Sequence, residues 1–150
     1  FLQKVALIRE YFPTAGITTD IICGFPGESE QNHAETLAFV REAGFSDIHI
    51  FPYSPRPGTE AAKRAQIPVS VRKRRAAELE TVRGRLSEDF RKAVLGTTCE
   101  TLTEQAANGC VTGYSGNYLK VYLSADKKPD MLYNVKIMEI FQEGVKGEVL

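Results

Sequence analysis

Thr18-Thr19-Asp20-Ile21-Ile22-Cys23-Gly24-Phe25-Pro26-Gly27-Glu28 is the stretch that decides how this chain folds. Its first six residues are mostly β-branched or apolar, which favours a strand. Gly24, Pro26 and Gly27 then impose a turn, and Glu28-Ser29-Glu30 supplies acids and a capping hydroxyl for a helix start. A second run, His49-Ile50-Phe51-Pro52-Tyr53-Ser54-Pro55-Arg56-Pro57-Gly58-Thr59, repeats the order of strand followed by glycine/proline loop. Two strands that end alike and are joined through a helix imply a right-handed parallel crossover. Ligands of such folds bind beyond the carboxyl ends of the strands.

Outward from these loops, Leu2, Val5, Ala6, Ile8, Arg9 and Phe12 recur at helical spacing until Pro13 ends the run. Ile17 to Cys23 reads as a strand covered on both faces. A helix is expected over about 30–43, with Ala34, Leu37, Phe39 and Val40 as its apolar stripe and Gly44 as its stop. A strand follows at Asp47 to Phe51. Pro68, Val71, Leu79, Val82, Leu86, Phe90 and Val94 then mark a long helix over 68–95.

After Gly96 the texture changes. Short β-like stretches at 98–104, 118–123 and 132–140 alternate with turns at Asn108-Gly109, Ser115-Gly116-Asn117 and Lys127-Lys128-Pro129-Asp130. That rhythm suggests a small closed barrel. The expected fold is therefore α/β plus all-β, with three parts: 1–66, a basic connecting helix 67–95, and a β-barrel 96–150.

Hydrophobic content of 43% and charged content of 25% fit an ordinary globular chain and argue against disorder. The apolar runs are strand-sized, so no membrane span is expected. The chain opens at Phe1 inside an amphipathic pattern, which reads as a piece of a longer polypeptide. Cys23, Cys99 and Cys110 are far apart and odd in number, giving neither a disulfide framework nor a metal knuckle. Reduced thiols point to a cytoplasmic protein. Net charge is zero, yet residues 63–92 hold ten basic and four acidic side chains. That excess is either a solvated helix face or a nucleic-acid footprint.

Chemistry concentrates in the two loops. Gly24 and Gly27 would let a flat ring lie against main-chain amides, with Pro26 stiffening the turn between them. Asp20 is a carboxylate in an apolar strand. It needs hydrogen-bond donors, either the hydroxyls of a ribose or an internal cation. Arg56, fixed between two prolines, suits bidentate binding of a carboxylate or phosphate, or is an ordinary surface arginine in a rigid turn. His33 reads as a surface helix residue and His49 as an ordinary strand residue.

The two loop motifs together resemble the last third of a radical S-adenosylmethionine barrel of the methylthiotransferase family. Gly113-Tyr114-Ser115-Gly116-Asn117-Tyr118-Leu119-Lys120-Val121 resembles that family's C-terminal TRAM domain, a small RNA-binding β-barrel. The resemblance covers essentially the whole chain. The His49–Ser54 variant is most similar to the branch that modifies N6-threonylcarbamoyladenosine beside the tRNA anticodon. Sister branches act on isopentenyladenosine in tRNA or on an aspartate of a ribosomal protein.

By this resemblance the chain is the C-terminal part of an open radical barrel followed by a TRAM-type barrel. Asp20 holds the ribose of S-adenosylmethionine, Ile22, Gly24, Pro26 and Gly27 pack near its adenine, and the Tyr53-Ser54 backbone meets the adenine edge. Arg56 would face the substrate. The family's Cys-x-x-x-Cys-x-x-Cys motif does not occur here, so both [4Fe–4S] clusters are expected outside this chain, which would be inactive alone.

RNA contacts are expected from Arg72, Lys73, Arg74 and Arg75 and from Tyr114, Asn117, Tyr118 and Lys120, with the tRNA anticodon stem-loop as partner. Tyr118 and Lys120 would share one strand face, Lys127 and Lys128 could extend the cationic rim, and the tyrosines could instead fill the barrel core. A rival reading is a non-enzymatic RNA-binding module. The isolated 1–66 part is expected to be poorly stable or to self-associate through the edge Ile17–Cys23.

Overall fold

A computed structural model of the chain describes residues 1–107 and 109–150; the turn expected at Asn108-Gly109 falls in part on Asn108, outside the described residues. Packing divides the chain into two units. One comprises residues 1–7 and 17–87, the other residues 8–16 and 88–150.

The first unit takes in the start of helix α1 (Leu2–Tyr11), then strand β1 (Thr18–Cys23), helix α2 (Glu30–Ala43), strand β2 (Asp47–Pro52), the short helix α3 (Glu60–Lys63) and most of helix α4 (Val69–Ala93). β1 and β2 pair in parallel, from Thr18 opposite Asp47 to Cys23 opposite Pro52. The crossover helix α2 is capped at both ends. Ser29 Oγ accepts from the Asn32 amide at 3.1 Å while Asn32 Oδ1 accepts from the Ser29 amide at 3.0 Å. Gly44, at φ 60°, stops the helix by donating to the Val40 carbonyl at 3.0 Å.

Cys23, Val40, Ala43, Phe45, Ile48, Leu79 and Val82 form the core of this unit. Two of the seven, Leu79 and Val82, come from α4. β1 was expected to be covered on both faces, and it is not. Thr19, Ile21 and Cys23 turn inward, whereas Thr18, Asp20 and Ile22 are exposed. The physical reason is that the second face forms part of a cavity wall.

In the second unit, strands β3 (Thr98–Ala107), β4 (Cys110–Ser115), β5 (Lys120–Ser124), β6 (Leu132–Phe141) and β7 (Gly144–Val149) close into a barrel in the order β3-β4-β5-β7-β6. All pairings are antiparallel except β5 with β7, which is parallel and rests on Val121 opposite Val145 and Tyr122 opposite Lys146. Val94, Leu119, Val121, Leu123, Val135, Ile137 and Val145 fill the interior, with Phe90 packed against them. Sequence patterning foresaw β3, β5 and β6 but neither β4 nor β7. Both carry glycines where backbones meet closely. A Cβ on Gly113 would fall 2.2 Å from the Leu102 carbonyl oxygen, and one on Gly144 2.3 Å from that of Lys120.

No helix among the described residues is long and apolar enough to cross a membrane.

Candidate nucleoside cavity and barrel surface

Both glycine/proline loops open onto one cavity of about 610 Å³, at the carboxyl ends of β1 and β2. Asp20 and Ile22 reach it from β1, and Tyr53, Ser54 and Arg56 from the second loop. Phe25, Phe51, Pro52, Thr59 and Ala61 complete the lining and were not singled out from the sequence. The aromatics could have been found. Phe51 stands in β2, register-paired with Ile22, and Phe25 leads the turn after β1. Phe25 packs edge-on against Tyr53 at 5.2 Å between ring centroids.

Gly24, Pro26 and Gly27 do not line the cavity; they shape the turn behind it. The expectation that their amides lie open to a flat ring fails at Gly24. Its N–H, and that of Phe25 at 3.2 Å, donate to the Glu28 carboxylate. Gly24 also has φ 74° and rests on the Arg72 side chain, so it has neither the backbone freedom nor the space for a Cβ.

Asp20 is exposed, and neither its carboxylate nor the Arg56 guanidinium meets an oppositely charged partner among the described residues. The cavity therefore offers one free anion, one free cation and apolar walls. Thr59 ties the second loop down by donating to the Arg56 carbonyl at 2.9 Å and capping α3.

The basic segment of α4 is mostly committed to protein partners. Arg75 is buried, bonds Glu30 at 2.8 Å and stands 3.3 Å from the Glu28 carboxylate. Arg74 pairs with Glu30 and Glu78 at 2.8 Å. Hydrogen bonds from Arg74 and then Arg75 hold the Glu30 carboxyl down at about 2. Arg72 donates to the Tyr53 carbonyl. Lys73 alone of the four is exposed with no ion pair among the described residues.

His33 corrects the sequence reading: it is 3% exposed, with Nε2 2.8 Å from Glu78. Its spacing from Leu37 and Val40 places it on the inward face of α2, and Glu78 gives its ring nitrogen a partner there. Hydrogen bonding to His33 in turn lowers the Glu78 carboxyl below the usual range.

On the barrel, Tyr114 is partly exposed and sits opposite Lys120 across β4 and β5. Tyr118 is 87% exposed but does not share a strand face with Lys120, as had been expected. It lies at φ 60° in the turn before β5, its amide donating to the Ser115 carbonyl at 2.9 Å. Asn117 anchors that turn, with Nδ2 donating to the Thr14 carbonyl at 2.7 Å. Lys120 Nζ is 2.5 Å from Glu143 and lies over the Tyr122 ring. Hydrogen bonds from Lys120 and then Tyr122 bring the Glu143 carboxyl to about 2. Of the lysines proposed to extend the rim, Lys127 pairs with Asp126 at 3.0 Å.

Against known proteins the whole chain aligns. It is 38% identical over 154 aligned residues to the tRNA-2-methylthio-N(6)-dimethylallyladenosine synthase of Aliarcobacter butzleri, covering 100% of this chain and 35% of that protein. The chain is a homologue of the tRNA methylthiotransferases. Identity to the threonylcarbamoyladenosine tRNA methylthiotransferase MtaB of Thermotoga maritima is 34%, over 97% of this chain and 34% of that protein. The Bacillus subtilis MtaB is 30% identical over 96% of this chain and 33% of its own length. This methylthiotransferase homologue thus spans about a third of the length of the relatives it matches. No family model matches it.

Proposed function

We propose that this chain is the C-terminal part of a tRNA methylthiotransferase of the radical S-adenosylmethionine class. In this reading residues 1–66 belong to an open radical barrel, and the five-stranded barrel is a TRAM-type module that docks a tRNA anticodon stem-loop. One observation carries it: Asp20 and Ile22 of β1 and Tyr53, Ser54 and Arg56 of the loop after β2 line a single cavity.

The lining suits the nucleoside half of S-adenosylmethionine. Phe25, Phe51 and Ile22 give apolar faces to a purine ring, and the unpaired Asp20 carboxylate is an acceptor for two ribose hydroxyls. When bound against a reduced iron–sulfur cluster, S-adenosylmethionine supplies the radical chemistry that opens the C2–H bond of the target adenine. The described residues do not fit a cluster, since no group of three or more His, Cys, Asp or Glu could hold a metal. Both [4Fe–4S] clusters would be ligated elsewhere in the parent protein, a cytoplasmic enzyme, and the chain alone would be inactive. Its own residues bind and orient: Asp20 the sugar, the aromatics the base, Arg56 an anionic group of the substrate. A threonylcarbamoyl carboxylate matches Arg56, which makes N6-threonylcarbamoyladenosine the first-choice target.

A dimethylallyl side chain carries no anion for Arg56, yet the 38% identity to a dimethylallyladenosine enzyme favours that second reading. Nucleoside mass spectrometry of tRNA from cells with and without the intact gene decides between them. Loss of 2-methylthio-N6-threonylcarbamoyladenosine supports the first. Loss of the dimethylallyl nucleoside supports the second, and an unchanged tRNA profile overturns both.

A further inference from the structure

Arg72 touches both cavity loops at once. Its aliphatic stem fills the space under Gly24, where an added Cβ would fall 2.2 Å from Arg72 Cγ. Its guanidinium donates from Nη1 to the Tyr53 carbonyl, and its own carbonyl lies 3.9 Å from Cys23 Sγ. Its Nε is buried with no acceptor among the described residues.

We propose that Arg72 is a positioning residue of the cavity, fixing the Tyr53–Ser54 peptide so that the Ser54 N–H faces the acceptor edge of a bound nucleoside. This rests on the nucleoside reading of the cavity.

The argument is one of peptide geometry. The chain has no cis peptide bonds among the described residues, so the Tyr53 C=O and Ser54 N–H point in opposite directions within their shared plane. Holding the carbonyl toward α4 turns the N–H away from α4. Ser54 lines the cavity, and its N–H meets no protein acceptor among the described residues. A free amide donor beside the apolar faces of Ile22, Phe25 and Phe51 is what selects a ring with a nitrogen or carbonyl acceptor on its edge. The charge on Arg72 adds to this, because a cation on the carbonyl polarises the peptide and strengthens its N–H as a donor.

The orphaned Nε bears on the alternative that Arg72 serves folding alone. A buried N–H without a partner is destabilising, and an apolar side chain of similar length would fill the space under Gly24 without it. The contact that the guanidinium does make is to the loop that lines the cavity.

The test uses the 150-residue chain, wild type and with Arg72→Met or Arg72→Lys, in backbone ¹⁵N relaxation and in titration with S-adenosylmethionine. Arg72→Met should lower the Ser54 order parameter from about 0.85 to below about 0.6 while Val40 and Ile48 keep theirs. Affinity for S-adenosylmethionine should fall about tenfold, and Arg72→Lys should restore part of it, since it keeps the charge but loses the fork. If Arg72→Met does not fold, Arg72→Lys decides by the same two readouts with smaller expected losses. Unchanged Ser54 order with normal binding overturns the role alone. So does a loosening that spreads equally to Val40 and Ile48, which marks a mere brace. Affinity is read in the full-length parent where the chain alone binds too weakly, and no binding by either overturns the nucleoside reading and the role together.

Discussion

Arg75 Nη1 donates to the Glu28 backbone carbonyl at 3.1 Å and stands 3.3 Å from the Glu28 carboxylate. That carboxylate holds the Gly24 and Phe25 amides, so a buried cation on α4 braces the turn at the end of β1. Removing one partner of a buried pair leaves the other uncompensated, which costs more than the pair contributes. Arg75→Met should destabilise the chain by about 3 kcal/mol, with Arg75→Lys intermediate. Urea denaturation gives the number, and a loss near zero removes the brace from the account.

Gly24→Ala faces two obstacles, a positive φ of 74° and the Arg72 stem. Together they should cost about 2–4 kcal/mol. Gly116→Ala, with nothing within 4 Å of the added Cβ and no positive φ, should be close to neutral in the same assay. Equal effects at the two sites would mean that the close approach at Gly24 is not as described.

Acid should loosen both units through their carboxylates. Glu30 and Glu143 titrate at about 2 in the folded chain against 4.5 without partners. For Asp47 burial pushes upward, but hydrogen bonds from Arg83 and the Ile48 amide prevail and lower it. A depressed folded value stabilises the chain above the unfolded value, and that contribution disappears as pH falls from about 4.5 toward 2. Glu30 and Glu143 are exposed, so the amplitude is small and shrinks further in salt. Circular dichroism between pH 5 and 2, at low and high salt, should show an acid-side loss of stability that salt diminishes. A chain whose stability rises as pH falls through this window would contradict these pairings.

Cutting after residue 66 removes Leu79 and Val82, two of the buried residues of the first core. It also leaves Val40 and Ile48, now fully buried, partly uncovered. Fragment 1–66 should therefore lack a cooperative transition or associate, most directly along β1, whose second edge is unpaired among the described residues. Sedimentation of that fragment as a stable monomer would show that α4 is dispensable to it.

Cys23 is buried, and burial pushes its thiol pKa up. The raised pKa suppresses the thiolate, and burial also blocks the reagent's approach. Alkylation of native protein should spare Cys23 while Cys99 and Cys110, half-buried, react first. Denaturant should make all three equivalent.

The loops were legible because their message is local. β-branched residues followed by glycine and proline specify a strand and a turn whatever lies around them, and Gly44 at φ 60° follows the same logic. What stayed hidden depends on partners distant in sequence. Nothing near His33 announces Glu78, and nothing near Arg72 announces the Tyr53 carbonyl. A cluster of arginines looks like a footprint for phosphate until the carboxylates that neutralise Arg74 and Arg75 are located in space. β4 and β7 were missed because Gly113, Gly144 and Gly147 interrupt the β-branched patterning by which a strand is read. They mark places where one backbone or side chain presses on another.

The parallel junction of β5 with β7 rests on two residue pairs, against five or six in each antiparallel junction. A ring that is thin at one point yields there first under load or heat. Amide protons around Val121 and Val145 should therefore exchange through brief partings of that join, with the other four strand contacts intact. Each parting creates two bare strand margins where the closed ring has none. The vulnerability of this module to misassembly is thus set by how firmly Gly144 seats against the Lys120 backbone.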